Sequence, residues 1–471
     1  MIRPAASATL ALALAACTGA STPDHAGDVI LITVDALRAD HITPELTPTI
    51  SRLSAEALAF TNARANSSHP LQSAATLLTG LLPTRGGSIG LLEAQPSSEA
   101  QTLAESLRST GYTTGLVSSQ PLLGAAGFRR GYSDLQVART GETWSAHEVA
   151  QRAAEVLEDT GANPCFLHVH FADPHEPHTS SEPDAHPSLS FAELRQRIAS
   201  GATGPELCTE SELESLRSAY RAEIASVDAA IAELLEAIAA RAHPAGTLIL
   251  FTSTCGEEFL EHGYVGHAWT LHEEVLRVPL LLHAPGTIPP AIDTQPVSLV
   301  DIAPTLADLL ALPERSIGFD GDALLVNGRP KALGERELLA ELIIRERTIQ
   351  RAVITQDAKH ISASLYHAPA ERPAISSSYI ESLRAAASGE LELPATFGEP
   401  MQEFLYDLRN DPHERTPLGA MSRVSTSKLR AVLEDYRAYC AAHGLAPTDA
   451  RLVPSFQDSS GADALEALGY L

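Results

Sequence analysis

Positive charge is what this chain has least of: 33 Lys and Arg stand against 59 Asp and Glu, a formal net charge of -26 over 471 residues. A surface this acidic repels polyanions, which argues against nucleic acid or an anionic membrane surface as a general partner. Its plainest use is the solubility of an exported protein. Aromatic residues make up only 5% of the sequence, so the core must be built on Leu, Val, Ile and Ala. Cysteines number five, and no CxxC or zinc-binding spacing joins them, which leaves their pairing unreadable. Internal repeats and long low-complexity runs are also missing, whereas length alone admits a large core and two to four domains.

The start of the chain, MIRPAASATLALALAACTGAS, carries one early positive charge at Arg3 and then a short Ala/Leu run. That run is too short to cross a bilayer and reads as a secretion signal. Leu14, Ala15, Ala16 and Cys17 resemble a bacterial lipobox, which implies a signal peptide over 1–16, a diacylglyceryl group on Cys17 and a polar tether over 17–27. The expected location is therefore exported and lipid-anchored to a bacterial envelope, on its periplasmic or cell-surface side. Thr18 after the cysteine favours onward sorting to an outer membrane. Cys165, Cys208, Cys255 and Cys440 would then sit in an oxidising compartment.

Two stretches frame the rest. Residues 247–253, TLILFTS, are continuously apolar and end in small hydroxyl residues, the pattern of a strand buried on both faces of a parallel sheet. Residues 28–35, DVILITVD, read the same way and end in a carboxylate. Ligands of parallel sheets collect beyond the carboxyl ends of the strands, so Asp35 and the loop after Ser253 stand at a site mouth. Segment 102–119 reads as a helix, a stop at Gly111 and a strand, and 147–171 as another helix and strand. Residues 179–210 are polar and read as a surface insertion over the site. Beyond them Leu213, Leu216, Tyr220, Ile224, Val227, Ile231, Leu234 and Ile238 recur at three- and four-residue steps, one apolar stripe on a long helix.

The motifs VILITVDALRADHI, SAATLLTGLLP, DPHEP and FTSTCGEE with EHGYVGH and RVPLLL, in this order, resemble the sulfatase family of the alkaline-phosphatase superfamily over nearly all of 28–471. The resemblance implies an α/β fold: a large domain over 28–313, with a mostly parallel mixed sheet flanked by helices, and a small C-terminal α+β domain over 314–471. It implies a sulfuric or phosphoric ester hydrolase with a divalent cation. Asp35 would be a retained ligand; the paired ligand positions are occupied by Thr254 and Cys255. The nucleophile position, counted back from Gly80, falls on Pro70, with Gln72 at the motif's proline and Ala74 at its arginine. His175 would bind the ester's anionic group or protonate the leaving group, and His267 would grip the substrate anion. Glu257 and Glu258 would lie beside the site or be exposed.

Hard cations need carboxylate oxygens, and Thr254 offers only a neutral hydroxyl. Cys255 is either a soft-metal ligand or a small buried thiol at a strand end. Proline cannot attack an ester. Ser68, His69 and Ser73 stand near it as substitutes, or as caps of the helix. The expected protein is thus a sulfatase-like lipoprotein with no tightly bound cofactor, a binding or scaffolding relative for an anionic sulfated or phosphorylated small molecule or glycan. The alternative is an active hydrolase with a rebuilt centre of Asp35, His69, Cys255 and His267, which would favour Zn²⁺ over the Ca²⁺ or Mg²⁺ implied by the family.

Overall fold

The computed structural model describes residues 27–90, 94–161, 163–176, 178, 187–344, 348–365 and 402–418, with parts of 429–438. Cys17, the signal and tether segments up to residue 26, Cys440 and the final eight residues lie outside the described residues.

The organising element is an eight-stranded sheet, ordered Ala291–Asp293, Leu58–Phe60, Leu280–His283, Thr247–Ser253, Asp28–Val34, Cys165–Phe171, Thr113–Ser118 and Asp134–Val137. All neighbouring pairs are parallel except the two made by Leu280–His283, so the sheet is mixed and mostly parallel, as the sequence implies. Its two central strands need no polar face. Val29 and Leu31 point into one apolar layer with Leu248 and Leu250, while Ile30, Ile32 and Val34 point into the other with Ile249 and Phe251. Alternation with period two therefore places apolar residues on both faces, the signature of a strand covered by helices on both sides.

Helix Glu210–Arg241 covers one of those faces. Leu216, Tyr220, Ile224, Val227, Ile231, Leu234 and Ile238 of the expected stripe are buried there, and a Thr209/Glu212 capping box starts the helix. Helices Pro48–Glu56 and Ala146–Asp159 complete this layer. The opposite face carries helices Pro70–Thr79, Leu103–Ser109 and Ile302–Leu309. The stretch read as a polar insertion contains a helix, Phe191–Ala199. A Ser190/Glu193 capping box starts it, and Phe191 and Leu194 anchor it in the core beside Tyr220.

Near the C-terminus, strands Leu338–Ile344, Thr348–Ile354, Ala358–Leu365 and Gln402–Asp407 make a separate antiparallel sheet. Leu338, Ala340, Leu342 and Ile344 join the same apolar layer as helix Pro70–Thr79, so the small sheet closes that side of the large one. A buried ionic cluster adds a second tie. Lys359 Nζ lies 3.1 Å from Glu273 Oε1 and 2.9 Å from Glu414 Oε1, and Arg64 pairs with Glu273 at 2.9 Å.

Candidate functional site

Asp35 follows the last residue of the central strand, fully buried, with its amide bonded to the Phe171 carbonyl. Parallel register sets what surrounds it. Val34 pairs with Phe171 on one side and Ser253 on the other, so the segments after all three strands emerge together. Thr254 and His170 reach the carboxylate from those two sides: the Thr254 hydroxyl donates to Asp35 Oδ1, and His170 Nε2 lies 3.2 Å from Oδ2.

Burial pushes the Asp35 carboxyl up, but the charge and hydrogen bond of His170, with His175 and Thr254, outweigh it and hold it at about 2. Asp35 is therefore ionised and accepts only. A buried chain of polar groups runs behind it. His170 Nε2 donates to Asp35; its Nδ1 lies 2.8 Å from the Thr33 hydroxyl, which lies 2.8 Å from His168 Nε2. Tyr132 closes the chain, its hydroxyl 3.1 Å from His168 Nδ1. Burial holds His168 well below the usual histidine range, so it is neutral and can accept from Tyr132 while donating to Thr33.

Across from Asp35 the two histidines singled out by sequence meet each other, with ring centroids of His175 and His267 4.5 Å apart. His175 Nδ1 is 2.6 Å from the Glu176 carbonyl, and His267 Nδ1 is 3.0 Å from Glu257 Oε1. Burial, the largest influence, holds His267 down at about 4 and pushes Glu257 up to about 7. Glu257 and Glu258 are both fully buried, so neither is the exposed residue that sequence allowed.

The head of helix Pro70–Thr79 lies on this side as well, because the Ser68 carbonyl accepts from the Ala268 amide at 3.1 Å. Pro70 is the first helical residue, and its fixed φ and missing N–H suit that position. His69 is the fully buried N-cap residue. Ser73 is committed to structure: its hydroxyl donates to the Ser67 carbonyl at 2.7 Å and its amide to the His69 carbonyl. Ser68 Oγ is buried with no hydrogen-bond partner among the described residues. Ala74, at the arginine position, packs in the apolar layer. Gln72 bridges elsewhere, donating to the Ile343 carbonyl at 2.7 Å and the Gly90 carbonyl at 3.1 Å.

The donor set here does not fit the hard divalent cation that the resemblance implies. Both oxygens of Asp35 are taken by protein groups, Thr254 is neutral, and residue 36 is an alanine. Burial, reinforced by the charges of Asp35 and Glu257, pushes the Cys255 thiol well above its usual range, so it is no thiolate. Among the described residues, triads of His, Cys, Asp or Glu with donor atoms within 4.8 Å of one another fall at Glu258, His262 and His272 and at His262, Glu274 and Glu414. Neither includes Asp35, His69, Cys255 or His267.

Sequence reading singled out Asp35, His175 and His267 and set Glu257 beside the site or at the surface, but passed over Thr33, His168 and His170. The signal was present in CFLHVHF, where two histidines separated by one residue share a face of a strand otherwise wholly apolar.

Known proteins share parts of this sequence and its fold. The choline-sulfatase of Rhizobium meliloti (strain 1021) is 31% identical over 191 residues, 36% of this chain and 37% of that protein. The chain covers about a fifth to two fifths of the length of the first curated relatives it matches. The phosphonate monoester hydrolase of Agrobacterium radiobacter superposes with a TM-score of 0.66 at 20% identity, over 88% of this chain and 96% of that one. A protein solved with its substrate D-glucosamine-2-N,6-O-disulfate gives 0.67 at 16% identity, over 88% and 97%. These structures share the fold, an alkaline-phosphatase-like sheet with a small C-terminal sheet. The sulfatase family model matches residues 27–312, more than half of the sequence, and the chain belongs to that family.

Proposed function

We propose that this chain is an envelope-anchored member of the sulfatase family that binds an anionic sulfated glycan and does not hydrolyse it. The observation that carries the reading is the state of Asp35, whose two carboxylate oxygens are held by Thr254 and His170 where a working centre needs them on a cation. Pro70 at the head of its helix adds that no attacking atom stands at the nucleophile position. The ligand class is motivated by the structural neighbour solved with disulfated glucosamine, and the anchor by the Leu14 to Cys17 motif.

The test pairs an assay with a binding measurement. Purified protein is given chromogenic aryl sulfate, phosphate and phosphonate esters with added Ca²⁺, Mg²⁺ or Zn²⁺, and is titrated calorimetrically with sulfated and desulfated glycosaminoglycan disaccharides. The expected result is no turnover above buffer and saturable binding of the sulfated sugar alone. Turnover that disappears in Asp35→Ala establishes an active hydrolase and overturns the proposal; equal or absent binding of both sugars overturns its ligand class.

A further inference from the structure

Away from Asp35, the loop after strand Thr247–Ser253 gathers a second set of donors. Glu258, His262 and His272 each offer one atom, and these atoms lie within 4.8 Å of one another. Glu258 is fully buried, and the His262 and His272 side chains are 8% and 14% exposed, so the cluster reaches from the interior to the surface.

Each of the three has one polar atom held and one left over. Glu258 Oε2 accepts from the Thr270 hydroxyl at 2.8 Å, while Glu258 Oε1 has no hydrogen-bond partner among the described residues. His272 Nε2 lies 3.3 Å from the Tyr406 hydroxyl, and its Nδ1, also lacking a hydrogen-bond partner among the described residues, is 3.9 Å from that same Glu258 Oε1. His262 Nε2 is 3.0 Å from Glu274 Oε2, which leaves Nδ1 as its second donor. This is the outer-shell pattern of metal ligands, in which a hydroxyl or carboxylate holds the far atom and thereby orients the near one. The His262 and His272 rings stack face to face, centroids 3.6 Å apart and 8° from parallel; ring-nitrogen lone pairs lie in the ring plane, so one imidazole turns out of this stack for both to meet at a single ion.

An unpartnered carboxylate oxygen in the interior is costly, and a cation between it and the two imidazoles removes that cost. We infer that Glu258, His262 and His272 form a site for a Zn²⁺-class cation, separate from the Asp35 region. Two nitrogens and one oxygen suit zinc or cobalt rather than calcium, with water in the fourth position. Donors around a tetrahedral Zn²⁺ stand about 3.4 Å apart when bonds are about 2.1 Å, so His272 Nδ1 and Glu258 Oε1, 3.9 Å apart, draw together on binding. The overlapping triad of His262, Glu274 and Glu414 is less suited: Glu414 Oε1 already pairs with Lys359 and Oε2 accepts from the Glu273 amide at 2.7 Å. Since Tyr406 belongs to the small sheet, the cation would also fasten that sheet to the large domain.

The test uses the full chain, stripped with chelator and titrated with Zn²⁺ by calorimetry and with Co²⁺ by visible absorption. One equivalent is expected to bind in the wild type and in Asp35→Asn, and to bind at least tenfold more weakly in Glu258→Gln and His272→Ala. Circular dichroism checks folding of each variant, and His262→Gln serves if either of the others fails to fold. Zinc-edge anomalous scattering from crystals of the wild type decides independently of any variant. A peak between Glu258, His262 and His272 supports the site; no binding, unchanged affinity in all three variants, or a peak elsewhere overturns it.

Discussion

His170 Nε2 lies 3.2 Å from Asp35 Oδ2, deep in the sheet. An ionised carboxylate in so dry a place requires a partner, and here the protein supplies it from the neighbouring strand.

Removing that partner strands the charge. His170→Leu is expected to destabilise the fold by roughly 2–4 kcal/mol in denaturant unfolding. Asp35→Asn in the same background should recover part of the loss. Simple additivity in this double-mutant cycle would show that the two groups are not coupled.

Thr254→Asp restores a carboxylate at one ligand position and sets two acids against each other. Without a cation the variant should melt several degrees below wild type, from roughly 2–4 kcal/mol of uncompensated repulsion. Millimolar Ca²⁺ should raise its melting temperature but not that of the wild type. Scanning calorimetry with and without chelator measures both.

The Glu257–His267 pair makes stability depend on pH in two opposite senses. Glu257 titrates near 7 when folded against an ordinary 4.5, so the folded chain binds its proton more tightly and stability falls as pH rises from 4.5 to 7. His267 titrates near 4 against an ordinary 6.5, so its contribution is present above 6.5 and lost as pH falls towards 4. Glu257→Gln should remove the first slope and add roughly 1–3 kcal/mol at pH 8. His267→Gln should flatten the acid side instead. Urea titrations from pH 4 to 8 check each slope.

Gln72→Ala cuts the bonds from helix Pro70–Thr79 to Ile343 and Gly90. A loss of roughly 2–3 kcal/mol is expected in urea unfolding, with faster hydrogen exchange at the Ile343 amide. Unchanged exchange would mean that apolar packing alone seats the small sheet.

Much of this architecture was legible in the sequence because it rests on periodicity and position. Unbroken apolar runs gave the central strands, the stripe from Leu216 to Ile238 gave the long helix, and a terminal aspartate marked the sheet's carboxyl end. The helix at Phe191–Ala199 was hidden by the polar residues around it, although Ser190 and Glu193 announced its start. At the site, single residues at motif positions were readable but partnerships were not. Whether Thr254 donates to Asp35, or His170 stands beside it, depends on which strands become neighbours, a long-range fact that local pattern does not contain. The Glu258, His262 and His272 cluster was obscured for the same reason: Tyr406 and Thr270 act on it from distant parts of the chain and from around the loop.

Gln72 carries a historical consequence. Where the family's motif has a proline, this amide holds two carbonyls and accepts from the Ser67 hydroxyl at 3.0 Å and the Ile343 amide at 3.3 Å. Putting a proline at position 72 would strip those attachments from the seam with the small sheet. The glutamine is thus entrenched: a single step to the motif's residue costs cohesion at once, and a lineage carrying it keeps it for the sake of the scaffold.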